Sequence, residues 1–132
     1  MSQKLYQRDE IPTQYTWNPH IIFPDDAAWE AARQQVLASL PTLAAWRGRL
    51  HEGPERLLAC LHEIEAMQQL GGKVYIYASM FHSVDTADQA ASARNDQAGS
   101  MFGQAMATIA FVEPELLAIG EETLNQWIAD TP

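Results

Sequence analysis

The sequence predicts an all-α fold, a bundle of four or five helices preceded by an extended N-terminal arm. Three observations carry this reading. Apolar residues recur at three- and four-residue spacing through most of the chain after residue 25, helix-start residues stand before those stripes, and no confident strand emerges anywhere. Length and composition agree: 132 residues with 47% hydrophobic content suit one domain with a real core. Residues 1–24 form the arm and residues 25–132 the bundle.

The arm has no helical stripe. Pro12, Pro19 and Pro24 each remove a backbone donor and restrict the residue before them, which favours extended or turning backbone. Ile11, Tyr15, Trp17, Ile21, Ile22 and Phe23 are too apolar for a solvated tail, so the arm packs along its own domain or along the rest of a longer protein.

The first helix starts at Asp25 or Asp26, where a short carboxylate accepts bonds from free amides. Trp29, Ala32, Val36, Leu37 and Leu40 give it one apolar face, and Pro41 is expected to stop it. A short helix or turn with Trp46, Arg47, Arg49 and Leu50 follows. Gly53-Pro54-Glu55 then starts a long helix, with proline where its missing amide costs nothing. Its stripe runs Leu57, Leu61, Ile64, Met67, Gly71, Val74, Ala78, Phe81. Gly71-Gly72 costs about 1 kcal/mol per glycine in a helix interior, offset if a partner helix approaches closely at Gly71. A continuous or bent helix is favoured; a break there, with Val74 to Tyr77 as a strand, is the alternative.

Ser83 to Asp88 reads as a polar connection, and a further helix covers about Asp88 to Val112. Gly99 and Gly103, continued by Ala107, form a small-residue seam that suits close packing of two soluble helices. Pro114 is expected to break this helix, and a last one carries Leu117, Leu124, Trp127 and Ile128 before the chain ends at Thr131-Pro132.

Charge excludes some functions. The net charge is -9, with seven basic and nine acidic side chains in residues 1–73 but only Arg94 against eight acids in residues 74–132. Phosphate backbones and anionic membranes both repel such a surface, so neither nucleic acid nor membrane is expected as a partner. No apolar stretch is expected to reach the length of a bilayer span, and no signal peptide is evident, which points to the cytoplasm. Cys60, the only cysteine, lies at an apolar spacing and reads as a small core residue.

The search for chemistry yields no catalytic residue and no metal ligand set. His62-Glu63-Ile64-Glu65-Ala66 comes nearest to a zinc-peptidase helix, but His-Glu-x-x-His needs a second histidine at position 66 and finds Ala66. His20, His51 and His82 are scattered. Arg47-Gly48-Arg49 is the one basic cluster. It suits a peptide carboxylate or an acidic residue of a neighbouring domain, although surface arginines covering apolar area are the weightier reading. Tyr75 and Tyr77, with His82 closing their helix, are candidate channel-lining or interdomain residues; core packing is the weightier reading for the tyrosines.

Several strings together resemble the N-terminal domain of the oligoendopeptidase F family. Arg8-Asp9-Glu10-Ile11-Pro12 with Tyr15-Thr16-Trp17 is similar to the family's opening arm. Ile22-Phe23-Pro24-Asp25-Asp26 with Ala28-Trp29-Glu30 is similar to its entry into the first helix. Trp46 to Leu50, Tyr75-Ile76-Tyr77-Ala78-Ser79, and Phe111-Val112-Glu113-Pro114-Glu115-Leu116-Leu117 follow in the family's order. The chain departs at Trp17-Asn18-Pro19, where the family often continues Trp-Asp-Leu. The resemblance implies the N-terminal piece of a longer zinc metalloendopeptidase acting on oligopeptides. Zinc, water and the His-Glu-x-x-His motif then lie in a downstream catalytic domain, the chain's main partner. The helical domain then covers a deep channel and limits entry to short unfolded peptides. A standalone interaction domain, homodimeric through Gly99 and Gly103, is the alternative.

Overall fold

A computed structural model describes residues 6–130, so Met1–Leu5 of the arm and the terminal Thr131-Pro132 lie outside the described residues. The fold is all-α: α1 is Asp26–Ala44, α2 Pro54–Val84, α3 Gln89–Ile109, α4 Val112–Ile119 and α5 Glu121–Asp130. The described arm is not simply extended. It alternates extended residues with three 3-10 turns, Arg8–Glu10, Thr13–Tyr15 and Pro19–Ile21. Proline at the first position of the last turn and Asn18, whose side chain accepts the His20 amide at 3.0 Å, favour the turn over a strand.

Helix α1 begins where the Asp25 carboxylate accepts the Ala28 amide at 2.8 Å. Trp29, Ala32, Val36, Leu40 and Leu43 form its buried face. The expected stop at Pro41 is displaced: the helix continues to Ala44 with Pro41 inside its last turn. Proline there forfeits its amide bond and crowds the carbonyl four residues back, and burial of Leu43 two residues later offsets that cost.

Helix α2 starts at Gly53, whose φ of 141° suits only glycine, with Pro54 in the first position. It runs unbroken through Gly71-Gly72, so the strand alternative for Val74 to Tyr77 falls. Its buried residues are Cys60, Ile64, Met67, Gly71, Val74, Tyr77 and Ala78. The expected stripe differs at its ends. Leu61 is exposed and Cys60 takes its place, while Leu57 and Phe81 are only partly buried. An added Cβ at Gly71 would stand 3.8 Å from Met101 Cε and 4.0 Å from Val36, an ordinary van der Waals distance rather than a tight approach.

Asp88 caps α3, accepting the amides of Ala90 at 2.8 Å and Ala91 at 3.1 Å. The small residues that let α3 approach are Ala91, Ala98 and Ala105, buried together with Met101. The expected glycine seam is therefore corrected: Gly99 and Gly103 are exposed, and nothing lies within 4 Å of a Cβ added at either. Helix α3 also ends earlier than expected, at Ile109. The chain bends at Ala110 and the buried Phe111, and Pro114 sits in the first turn of α4, where a helix needs no amide.

Helices α1, α2 and α3 pack against one another around the core, and the Pro19–Ile21 turn rests on α2. Phe23 meets Tyr77 edge-on at 5.5 Å, and the Trp29 indole donates to the Val74 carbonyl at 2.9 Å. One expectation about membranes is also corrected. Gln89–Ile119 is long and apolar enough, by length and composition alone, to cross a bilayer. The bend at Ala110 divides that stretch into α3 and α4, and Met101 and Ala105 within it face the helical core.

Candidate functional site

The Arg47–Arg49 turn is built by a residue far away in sequence. Gly48, at φ 79°, turns its amide toward α4, where the Glu115 carboxylate accepts it at 2.5 Å and accepts the Leu50 amide at 3.3 Å. Two of the five strings that carry the family resemblance thereby meet. Arg49 lays its fork on the Glu52 carboxylate at 3.1 and 3.2 Å and stacks over Trp46 at 5.7 Å. Those hydrogen bonds hold the Glu52 carboxyl below its ordinary value. The Arg47 guanidinium lies 5.7 Å over the Phe111 ring. No carboxylate among the described residues pairs with it, so Arg47 is the member of the cluster that presents charge to solvent.

The tyrosines separate. Tyr75 is 42% exposed, with its ring 5.7 Å from that of Phe102 on α3. Tyr77, two residues on, points into the core, and its hydroxyl donates to Asp26 at 3.1 Å. Burial, and then the hydrogen bond to Asp26, push its phenol up to about 12. His82 is partly buried, and its Nδ1 shares a hydrogen bond of 3.2 Å with Ser92 on α3. Arg47 and Arg49 lie just before α2, whereas His82 lies near its far end. At about 1.5 Å per residue the helix separates them by roughly 40 Å. The candidate residues thus converge on no single cleft, and Tyr75 and Arg47 are the two that remain available to a partner.

Sequence reasoning missed a second cluster. Arg94 of α3 donates to Asp26 at 2.7 Å, and its guanidinium lies 4.9 Å from the Phe81 ring centroid, 5.8 Å from Tyr77 and 5.9 Å from Trp29. Three rings offset part of the cost of burying this cation, whose Nη1 is buried with no hydrogen-bond partner among the described residues. The signal in the sequence is that Arg94 is the lone base in a strongly acidic half. Its place against α1 and α2 makes it a bolt between helices.

The zinc-like string does not fit a metal. His62 is exposed on α2, Glu63 accepts the Trp46 indole N–H at 2.9 Å, and Ala66 supplies no ligand. Among the described residues no three His, Cys, Asp or Glu side chains cluster to hold an ion. An apolar concavity lies elsewhere, a cleft of about 470 Å³ between the first half of α2 and α5, walled by leucines, Trp127 and Ile128.

Comparison with known proteins fits the resemblance of the five strings. The chain is 32% identical over 129 residues to oligopeptidase PepF of Bacillus subtilis (strain 168), covering 98% of this chain and 19% of that protein. It is 30% identical over 124 residues to the plasmid oligoendopeptidase F of Lactococcus lactis subsp. cremoris, covering 93% of this chain and 21% of the relative. It is 26% identical over 126 residues to group B oligopeptidase PepB of Streptococcus agalactiae (serotype III, strain NEM316), covering 95% and 21%. The chain therefore spans about a fifth of the relatives it matches. No family model and no solved structure matches it.

Proposed function

We propose that the chain is the helical N-terminal portion of an oligoendopeptidase F-like zinc metalloendopeptidase of the cytoplasm. In this reading it covers the substrate channel and limits entry to short unfolded peptides. The observation that carries it is the pairing of near-complete coverage of this chain with one-fifth coverage of relatives named oligopeptidases. A piece that matches end to end yet accounts for so little of its relatives is a part of a peptidase rather than a diverged whole. The zinc implied by the family resemblance belongs to the remainder, because the donors present here do not fit it.

Within this reading Arg47 and Tyr75 are the candidate contacts with the catalytic part or with peptide. Arg47 offers an unpaired charge for a carboxylate and Tyr75 an amphipathic ring. Tyr77 and His82 act from behind, holding α2 against its neighbours.

The test mixes the purified chain with the separately expressed downstream polypeptide and follows cleavage of a quenched fluorescent peptide and of a folded protein. Each piece is also assayed alone. Activity, or exclusion of the folded protein, that appears only in the mixture supports the reading. A downstream polypeptide that is equally active and equally selective alone removes the gating role.

One observation favours a second reading, a homodimeric interaction domain: Gly99 and Gly103 leave an open stripe on α3 beside the exposed Phe102. Light scattering separates the two. A dimer that Gly103→Leu converts to a monomer supports the second reading, and a monomer at high concentration dismisses it.

A further inference from the structure

We infer that the apolar cleft between α2 and α5 is where the remainder of the longer peptidase docks, through an apolar helix flanked by basic side chains. The inference rests on the reading of this chain as one part of such a peptidase. Leu57, Leu58 and Leu61 form one wall and Leu124, Trp127 and Ile128 the other. Leu58 is 48% exposed and Ile128 73%.

Helix α5 is the element that most lacks a reason to fold alone. It has no buried residue and packs principally on α4. At ten residues it is shorter than the roughly 12–15 that an isolated helix needs for even marginal stability in water. Yet Leu124, Trp127 and Ile128 recur at helical spacing on one side, with Glu121, Glu122 and Asp130 exposed elsewhere. An amphipathic helix with its apolar face uncovered is half of a packing unit.

The shape and charge of the surface describe the other half. A groove between two helices accepts a third along its length. Another hollow along α5 is walled by Glu121, Glu122, Asn125 and Gln126, away from the apolar face, and residues 74–132 carry only Arg94 against eight acids. Lysine or arginine beside the apolar face of the incoming helix complements that acidic half and steers its approach. The source of the helix follows from length: the chain spans 19% of the Bacillus subtilis relative, so most of a peptidase of that size lies outside it and must pack somewhere.

The test measures binding of the downstream polypeptide to the wild-type chain and to Leu58→Glu, Ile128→Glu and Phe102→Glu variants. All three residues are exposed, and circular dichroism is the check that each variant keeps its helices. The expected result is at least tenfold weaker binding for the two cleft variants and a smaller loss, of at most about threefold, for Phe102→Glu, whose ring stands against Tyr75 on the outer face of α3. Binding lost only with Phe102→Glu overturns the cleft while leaving the peptidase reading intact. No binding by the wild-type chain, or a reading frame that closes at Pro132, overturns both. Self-association that Ile128→Glu abolishes assigns the cleft to a second copy and overturns the inference.

Discussion

The Glu115 carboxylate on α4 accepts the Gly48 amide at 2.5 Å and also the Leu50 amide at 3.3 Å, so one side chain closes a turn 67 residues away. The turn it closes carries both arginines of the basic cluster and precedes the long helix. Charge-assisted bonds to backbone amides are among the stronger hydrogen bonds, though partial exposure here reduces their net value. Glu115→Ala is expected to cost about 1–2 kcal/mol, and Glu115→Gln somewhat less, because the amide oxygen still accepts. Urea denaturation followed by circular dichroism measures both. An unchanged midpoint in Glu115→Ala would mean that the turn stands without its distant acceptor.

Arg94 makes a second prediction. Its side chain is 14% exposed while that of its partner Asp26 is 62% exposed, so the ion pair is half in water and the ring contacts carry more of the effect. Arg94→Ala is expected to destabilise by about 2 kcal/mol. Arg94→Lys keeps the charge but not the planar fork and is expected to lose about half of that. A lysine variant as stable as wild type would show that the cage responds to charge alone.

What the sequence made legible, and what it did not, follows the range of the interactions. Caps and stripes are local, so Asp25, Gly53-Pro54, the face of α1 and the middle of the α2 face from Ile64 to Ala78 read correctly, while the stripe places Leu61 where Cys60 is buried. The failures at Pro41 and Pro114 have different causes. Pro114 stands in a first turn, where the helix uses no amide, whereas Pro41 does lose a bond in the last turn of α1 and burial of Leu43 offsets that cost. The glycine seam misled because small residues on α3 recur in two registers. Burial chose the alanines, since only contact with α1 and α2 distinguishes the two faces. In the candidate site, Tyr75 and Tyr77 read alike in the sequence, and only the packing of α2 sends Tyr77 inward and leaves Tyr75 outward; the pairing of Arg94 with Asp26 spans 68 residues and leaves no periodic trace.

Acid should weaken the α1 surface in a defined window. Hydrogen bonds from Arg33 first, and Gln34 second, hold the Glu30 carboxyl down to about 2 from an ordinary 4.5. A depressed carboxyl contributes stability that is complete above 4.5 and is lost as pH falls toward 2. The Glu30 side chain is 42% exposed, so screening confines the contribution to about 0.3–1 kcal/mol. Urea midpoints of wild type and Glu30→Gln should differ at pH 7 and converge by pH 2. A constant difference across that range would contradict the assignment.

Tyr77 gives the opposite sign at the alkaline end. Its phenol is raised from 10.0 to about 12, by burial first and the Asp26 hydrogen bond second. A raised pKa contributes stability below pH 10 that is lost as pH climbs through 12. Ultraviolet titration should show one tyrosine ionising later than the others in the folded chain, and Tyr77→Phe should remove that late step. A single step common to all tyrosines would place the Tyr77 hydroxyl in water.

Gly71 and Gly72 test whether α2 tolerates its glycines or requires them. The φ of neither is positive, so no left-handed backbone demands glycine there. A Cβ at Gly71 would make ordinary contact with Met101 and Val36, and one at Gly72 would find nothing within 4 Å. Alanine recovers helix propensity at both positions, by about 0.5–1 kcal/mol each. The expected outcome is a higher denaturation midpoint for each single variant, nearly additive in the double variant because the two residues lie on different faces. If Gly71→Ala destabilises instead, the three-helix core is packed more tightly at Met101 than its distances indicate. If only Gly72→Ala destabilises, flexibility at this step of α2 has a structural role that helix propensity does not capture.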